Sequence, residues 1–163
     1  MNTPPAPPPQ QLPIEAQWCL KATTLRPAVN SGPCIELEVA RTPQQQSWGL
    51  MGRPPLAPLR GMWFSYDQPQ VLKFWMHRTP SPLDMLFIRD NRVIAIEEAA
   101  TPCPRLPCRS YGPNEPGDGV VELAAGEARR LGIVVGSEAV IRPLRPSSPA
   151  LAPAARPAAP ARD

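Results

Sequence analysis

Hydrophobic and polar positions alternate through much of the middle of this chain. Ile35, Leu37 and Val39 alternate with Glu36, Glu38 and Ala40, the period of a half-buried strand. The same period recurs over 61–66, where Met62, Phe64 and Tyr66 share a face. It recurs over 71–77, where Leu72, Phe74 and Met76 oppose Val71, Lys73, Trp75 and His77. Residues 83–89 form a nearly continuous apolar strand, Asp90-Asn91 reads as a hairpin turn, and 93–97 return as its partner. Further strands are expected over 120–123 and 138–142.

Helical signals are few. Thr42-Pro43 reads as an N-cap followed by Pro at the first helical position, opening a helix over 44–51. A second short helix is expected over 126–131, with Gly132 as its left-handed terminator. Residues 52–60 and 99–118 are loops, and 14–33 read as an extra strand or a packing arm. Many short strands with two short helices predict a mainly β domain, a small sandwich or barrel-like fold.

Composition narrows the folded part to 34–144. Of 26 Pro, six fall in residues 1–13 and six in 143–163. Such Pro/Ala tracts carry too little branched apolar surface to offset the entropy of ordering, so 1–13 and 145–163 are expected to be disordered tails, with 14–33 an extension. The net charge is +3, but between Cys34 and Arg142 there are 12 basic and 12 acidic residues, so the excess lies in the flanks. A neutral folded domain makes nucleic acid an unpromising partner. No apolar run approaches the ~20 residues of a membrane-spanning helix. With no visible signal segment, a cytoplasmic location is the default expectation.

The densest chemistry lies between Arg41 and Asp84. It holds three of the four Trp and three of the five Met. Arg41-Thr42, Gly49-Leu50-Met51 with Arg53, Gly61-Met62 with Phe64, Trp75-Met76 with Thr79, and Pro82-Leu83-Asp84 with Phe87 resemble the signature of the domain of unknown function 192 family. Tyr111, Glu122-Leu123, Gly126, Gly132 and Gly136 continue the pattern. The resemblance covers about residues 34–142. It implies a small β-rich, sandwich-like domain with no agreed activity, often exported in bacterial members, so export is an alternative to the cytoplasm. Where most of that family has Asn before the Thr, this chain has Arg78, and His77 stands where Lys or Arg is usual.

Six residues form the candidate ligand-binding set: Arg41, Arg53, Trp75, His77, Thr79 and Asp84. Asp84 sits among apolar neighbours, and a carboxylate there needs a partner, for which Arg41, Arg53 and Thr79 are candidates. It is either a general base or ligand anchor, or a structural ion. Trp75 beside Lys73 and His77 would make a stacking platform for a flat ligand, or a second core layer. His77 is the only His, so any His-based catalysis must use it.

Met51, Met62, Met76 and Met85 are soft donors, yet their spacing carries no metal signal, and no metal or cofactor is expected. Cys103 and Cys108 form a candidate disulfide, with free thiols or half a zinc site as alternatives. No Gly-rich phosphate loop and no catalytic carboxylate pair stand out.

The reading that follows is a non-catalytic β module binding a small molecule or a protein. The alternatives are a hydrolase-like enzyme using Asp84 with His77 or an Arg, and a structural partner in an envelope-associated complex.

Overall fold

A computed structural model of the chain describes residues 8–21 and 32–144. Of the tails expected over 1–13 and 145–163, residues 1–7 and 145–163 lie outside the described residues, whereas 8–13 are held against the fold, the Gln10 side chain donating to the carbonyls of Gln45 and Gly49. The strands are β1 (Ile14–Cys19), β2 (Cys34–Ala40), β3 (Arg60–Gln70), β4 (Phe74–Trp75), β5 (Leu83–Arg89), β6 (Arg92–Ala100), β7 (Ser110–Tyr111), β8 (Gly117–Ala124) and β9 (Ile141–Pro143). The helices are α1 (Pro43–Trp48) and α2 (Glu127–Arg130). The mainly β class with two short helices is therefore as the sequence pattern indicates.

Seven strands form one mixed sheet in the order β6-β5-β8-β3-β2-β1-β9, and β4 pairs with β7 as a separate ribbon. Only β2 and β3 run parallel, with α1 in the connection between them. The sheet does not close into a barrel, although one bridge, Arg92 to Glu138, links its β6 edge to the segment leading into β9. Residues 14–19 are an integral strand, paired with both β2 and β9. The N-terminal extension thus contributes to the sheet itself.

Alternation gives the sheet two apolar faces, and each is covered. On one face Trp18, Ile35, Leu37, Leu86, Ile88, Val121 and Leu123 pack beneath α2, with Ile133 and Ala139. On the other, Met62, Phe64, Met85, Phe87 and Val120 pack with Leu50, Leu56, Leu72, Met76 and Tyr111. Phe74 of the ribbon meets Phe64 edge-on at 4.9 Å and Phe87 at 6.2 Å. Burying apolar area at ~25 cal/mol per Å² on both sides makes the central strands the most protected part of the molecule.

Local chemistry explains most boundaries. Thr42 accepts from the Gln45 amide at 3.1 Å, and the Gln45 side chain accepts from the Thr42 amide at 3.1 Å, a complete capping box. The expected helix over 44–51 stops at Trp48 because Gly49 takes a positive φ of 44°. Asp90 and Asn91 both adopt positive φ, the geometry a two-residue hairpin turn needs, and they join β5 to β6 as expected.

The strand expected over 71–77 is cut to two residues. Beyond Trp75, the Met76 carbonyl accepts from Thr79 and Cys103, and Arg78 turns the chain with φ at 56°. Asn or Gly would adopt that left-handed region more readily than the Arg found here. The last strand begins at Ile141, because 136–139 hydrogen-bond instead to Asn91 and Val93 at the β6 edge.

Candidate functional site

A cavity of about 500 Å³ opens between α1, the β4–β7 ribbon and the sheet face that carries Met62 and Phe64. Its walls include Gln46, Trp48, Phe64, Tyr66, Lys73, Phe74, Trp75, His77, Thr79 and Ser110. Glu122 of β8 reaches it from the sheet. The size lies within the range of ordinary small-molecule sites.

Glu122 is positioned by strand pairing. In the register it stands opposite Met62 of β3 on one side and Met85 of β5 on the other. Neither thioether can donate a hydrogen bond to the carboxyl between them. The residue is buried, and its Oε2 has no hydrogen-bond partner. Burial disfavours the charged form and pushes the Glu122 carboxyl up to about 8, so the acid carries its proton at neutral pH. Tyr66 lies along the same strand face as Met62 and Phe64. Burial first, and then the charge of Glu122, raises its phenol above the ordinary value.

Trp75 is 46% exposed and its ring centroid lies 4.9 Å from that of His77, at a tilt of 59°. Thr79 is buried, with its hydroxyl 3.4 Å from the His77 carbonyl. The Lys73 ammonium donates to the Gly112 carbonyl and to Asn114 Oδ1.

Of the six residues picked from the sequence, three line this cavity: Trp75, His77 and Thr79. The other three lie elsewhere. Arg41 is exposed and pairs with Glu15 at 2.6 Å, tying the start of α1 to β1. Arg53 is buried and pairs with Glu38 at 2.7 Å, while the Leu12 amide donates to the same Glu38 oxygen at 2.8 Å. Asp84 is fully buried on the α2 side of the sheet, and neither arginine is its partner. It accepts from the amides of Ala99 at 2.9 Å, Gly126 at 3.0 Å and Ala128 at 3.1 Å. That carboxylate anchors the entry to α2.

Glu122, Tyr66, Trp48 and Gln46 line the cavity but lie outside the six-residue candidate set. Glu122 shows the same signal as Asp84, an acid between apolar strand residues, and could have been chosen on that ground.

The four cysteines form two disulfides, Cys19–Cys34 and Cys103–Cys108. The first joins β1 to β2. The second closes a loop whose Cys103 backbone bonds to Met76 and Arg78, next to His77. Among the described residues no three His, Cys, Asp or Glu side chains converge as a metal site. Met62, Met76 and Met85 are buried together in the core on the cavity side. No helix among the described residues is long and apolar enough to cross a membrane.

Fold and site together define a small mixed-β domain with one aromatic-walled cavity and a buried acid at its sheet side. The chain belongs to the DUF192 family, described as "Uncharacterized ACR", whose profile matches residues 26–141. Among solved structures, it is similar to a Sinorhizobium meliloti 1021 protein bearing the provisional name of transcription regulator. The two share 32% identity over 79% of this chain and 92% of that one, with a TM-score of 0.64. It is also similar to a protein of unknown function from Novosphingobium aromaticivorans DSM 12444, at 29% identity over 84% of this chain and 94% of that one, with a TM-score of 0.66. No curated protein matches the chain.

Proposed function

We propose that this domain is a non-catalytic module that binds a small molecule in the cavity between α1 and the β4–β7 ribbon. One observation carries the reading: a buried carboxyl with an unpaired oxygen lines a cavity of about 500 Å³ walled by aromatic rings. A buried polar atom without a partner costs ~1–3 kcal/mol, and folds retain such a cost mainly where function uses the group. Rings supply area for a flat or apolar body, and Glu122, Thr79, Gln46 and Ser110 supply the few polar contacts that orient it.

An enzyme built on Asp84 with His77 has less support. The two lie on opposite faces of the sheet, and Asp84 already serves three backbone amides. The two disulfides favour an oxidising compartment and so support the exported alternative over the cytoplasm. The provisional regulatory name of the S. meliloti relative would require a nucleic-acid surface. The equal counts of acidic and basic residues between Cys34 and Arg142 weigh against one.

The test is a fragment screen by NMR on the labelled full chain, with Trp75→Ala beside it. Hits should move the indole signals of Trp48 and Trp75 together with His77. Trp75→Ala should keep the fold, its side chain being half exposed, and weaken the hits by roughly tenfold. A screen without hits at these residues, or a Trp75→Ala chain that unfolds, would reject the reading.

A further inference from the structure

We infer that the cavity selects a small organic amine, its protonated nitrogen seated on Glu122 and its apolar body against the aromatic walls. The inference rests on the small-molecule reading of the same cavity and goes further by naming the class of ligand.

The electrostatics of the lining point one way. Glu122 offers a buried carboxyl whose Oε2 has no donor among the described residues. Its strand neighbours on that face are Met62 and Met85, which cannot donate a hydrogen bond. A ligand carrying N–H groups and positive charge would supply the missing donor and the missing counter-charge together. The carboxyl then passes its proton to the amine nitrogen, or to solvent where the amine arrives already protonated, and the resulting ion pair is stronger than a neutral hydrogen bond.

The walls agree with this polarity. Trp48, Phe64, Tyr66, Phe74 and Trp75 present ring surface to the cavity, and ring faces attract cations. An anionic ligand would meet the same rings and an acid, with nothing buried to neutralise it. The other titratable groups on the lining are Tyr66 from β3, and Lys73 and His77 from the ribbon segment. Lys73 is exposed, and its ammonium is already matched by the Gly112 carbonyl and Asn114 Oδ1. Among the described lining residues, Lys73 is thus engaged elsewhere and makes no ion pair with Glu122. The Glu38 carboxylate, across Met62 in the same row, is occupied by Arg53.

The experiment uses three probes of one shape and different charge on the full chain near neutral pH: benzylamine, benzyl alcohol and benzoate. Isothermal titration should show benzylamine binding roughly tenfold or more tightly than benzyl alcohol, with benzoate weaker still. Glu122→Gln should remove that preference while the chain still binds benzyl alcohol, which separates loss of charge recognition from loss of the cavity. Equal or tighter binding of benzyl alcohol or benzoate to the wild-type chain would overturn the amine assignment and leave the cavity reading standing. Binding of none of the three would reject both. Tighter binding of Nα-acetyl-lysine methylamide than of benzylamine would overturn the small-amine assignment in favour of a lysine-bearing protein.

Discussion

Asp84 and Glu122 sit on adjacent antiparallel strands, one register step apart, and face opposite sides of the same sheet. Asp84 pairs with Leu123, and Met85 pairs with Glu122. One residue of offset decides their fates. Asp84 meets three backbone amides at the entry to α2, whereas Glu122 meets two methionines and a cavity. Asp84 organises the fold, and Glu122 keeps an oxygen without a partner on the cavity.

The Glu122 environment makes stability fall with rising pH. Its pKa is raised on folding from 4.5 to about 8. Between those values the unfolded chain loses the proton while the folded chain keeps it. Folding is therefore favoured most below the unfolded pKa and progressively less as pH climbs to about 8. Glu122→Gln, which cannot ionise, should raise the Tm at pH 8 and leave it nearly unchanged at pH 4.5, with a gain on the order of a few kcal/mol at the higher pH. Thermal melts of both chains across this range check it. Parallel pH profiles for the two would refute the assignment.

Asp84→Asn should behave differently. An amide in place of the carboxylate sets an N–H₂ against backbone donors and removes charge-assisted bonds to Gly126 and Ala128. A loss of ~2–4 kcal/mol is expected in urea unfolding, at neutral as well as basic pH. Binding of benzylamine to the fraction that remains folded should be unaffected, because the cavity lies on the other face.

The two arginine pairs should differ sharply in strength. Arg53→Ala strands the buried Glu38 carboxylate and should cost ~3–5 kcal/mol, whereas replacing Arg53 and Glu38 together by Met should recover most of that loss. Arg41→Ala breaks only the exposed pair with Glu15 and should cost under ~1 kcal/mol. Denaturant midpoints for the four chains give the comparison.

The Cys19–Cys34 disulfide ties β1 to β2 across a sequence separation of 15. Replacing both cysteines by Ser should cost ~3 kcal/mol, the chain entropy released to the unfolded state. A Cys103→Ser, Cys108→Ser chain, which keeps this link alone, should show the same drop when unfolded in reductant. Equal midpoints with and without reductant would mean that the link does not stabilise the fold.

The pattern of the chain was enough to identify β2, β3, β5, β6 and β8, the cap of α1 and most of the apolar core, but not β7, which read as loop, nor the role of 14–19, which read as a strand or an arm. Met62, Phe64, Leu72 and Met76 fall in the core, as their shared faces indicate, because alternation follows from the backbone of a strand whatever its partners are. Trp75 and His77 do come together, on the cavity wall, although only Trp75 lies within a strand. The capping box at Thr42 and the turn at Asp90-Asn91 were equally legible, since they involve neighbours in sequence.

The partners of the charged residues were not legible. Arg53 lies 15 residues from Glu38, and Asp84 lies 42 from Gly126. For Asp84 the strand order, with β8 between β5 and β3, brings the entry to α2 within reach, and for Arg53 the segment after α1 returns to β2. That order also places Glu122 between Met62 and Met85, beneath the aromatic walls. The sequence by itself determined most of the apolar core, because alternation follows from the strand backbone. It did not determine the burial of Glu38, Arg53 and Glu122, which comes from the covering of the second sheet face. The tertiary structure alone decided which buried acid would be satisfied and which left open, because that depends on pairing between strands far apart in the chain.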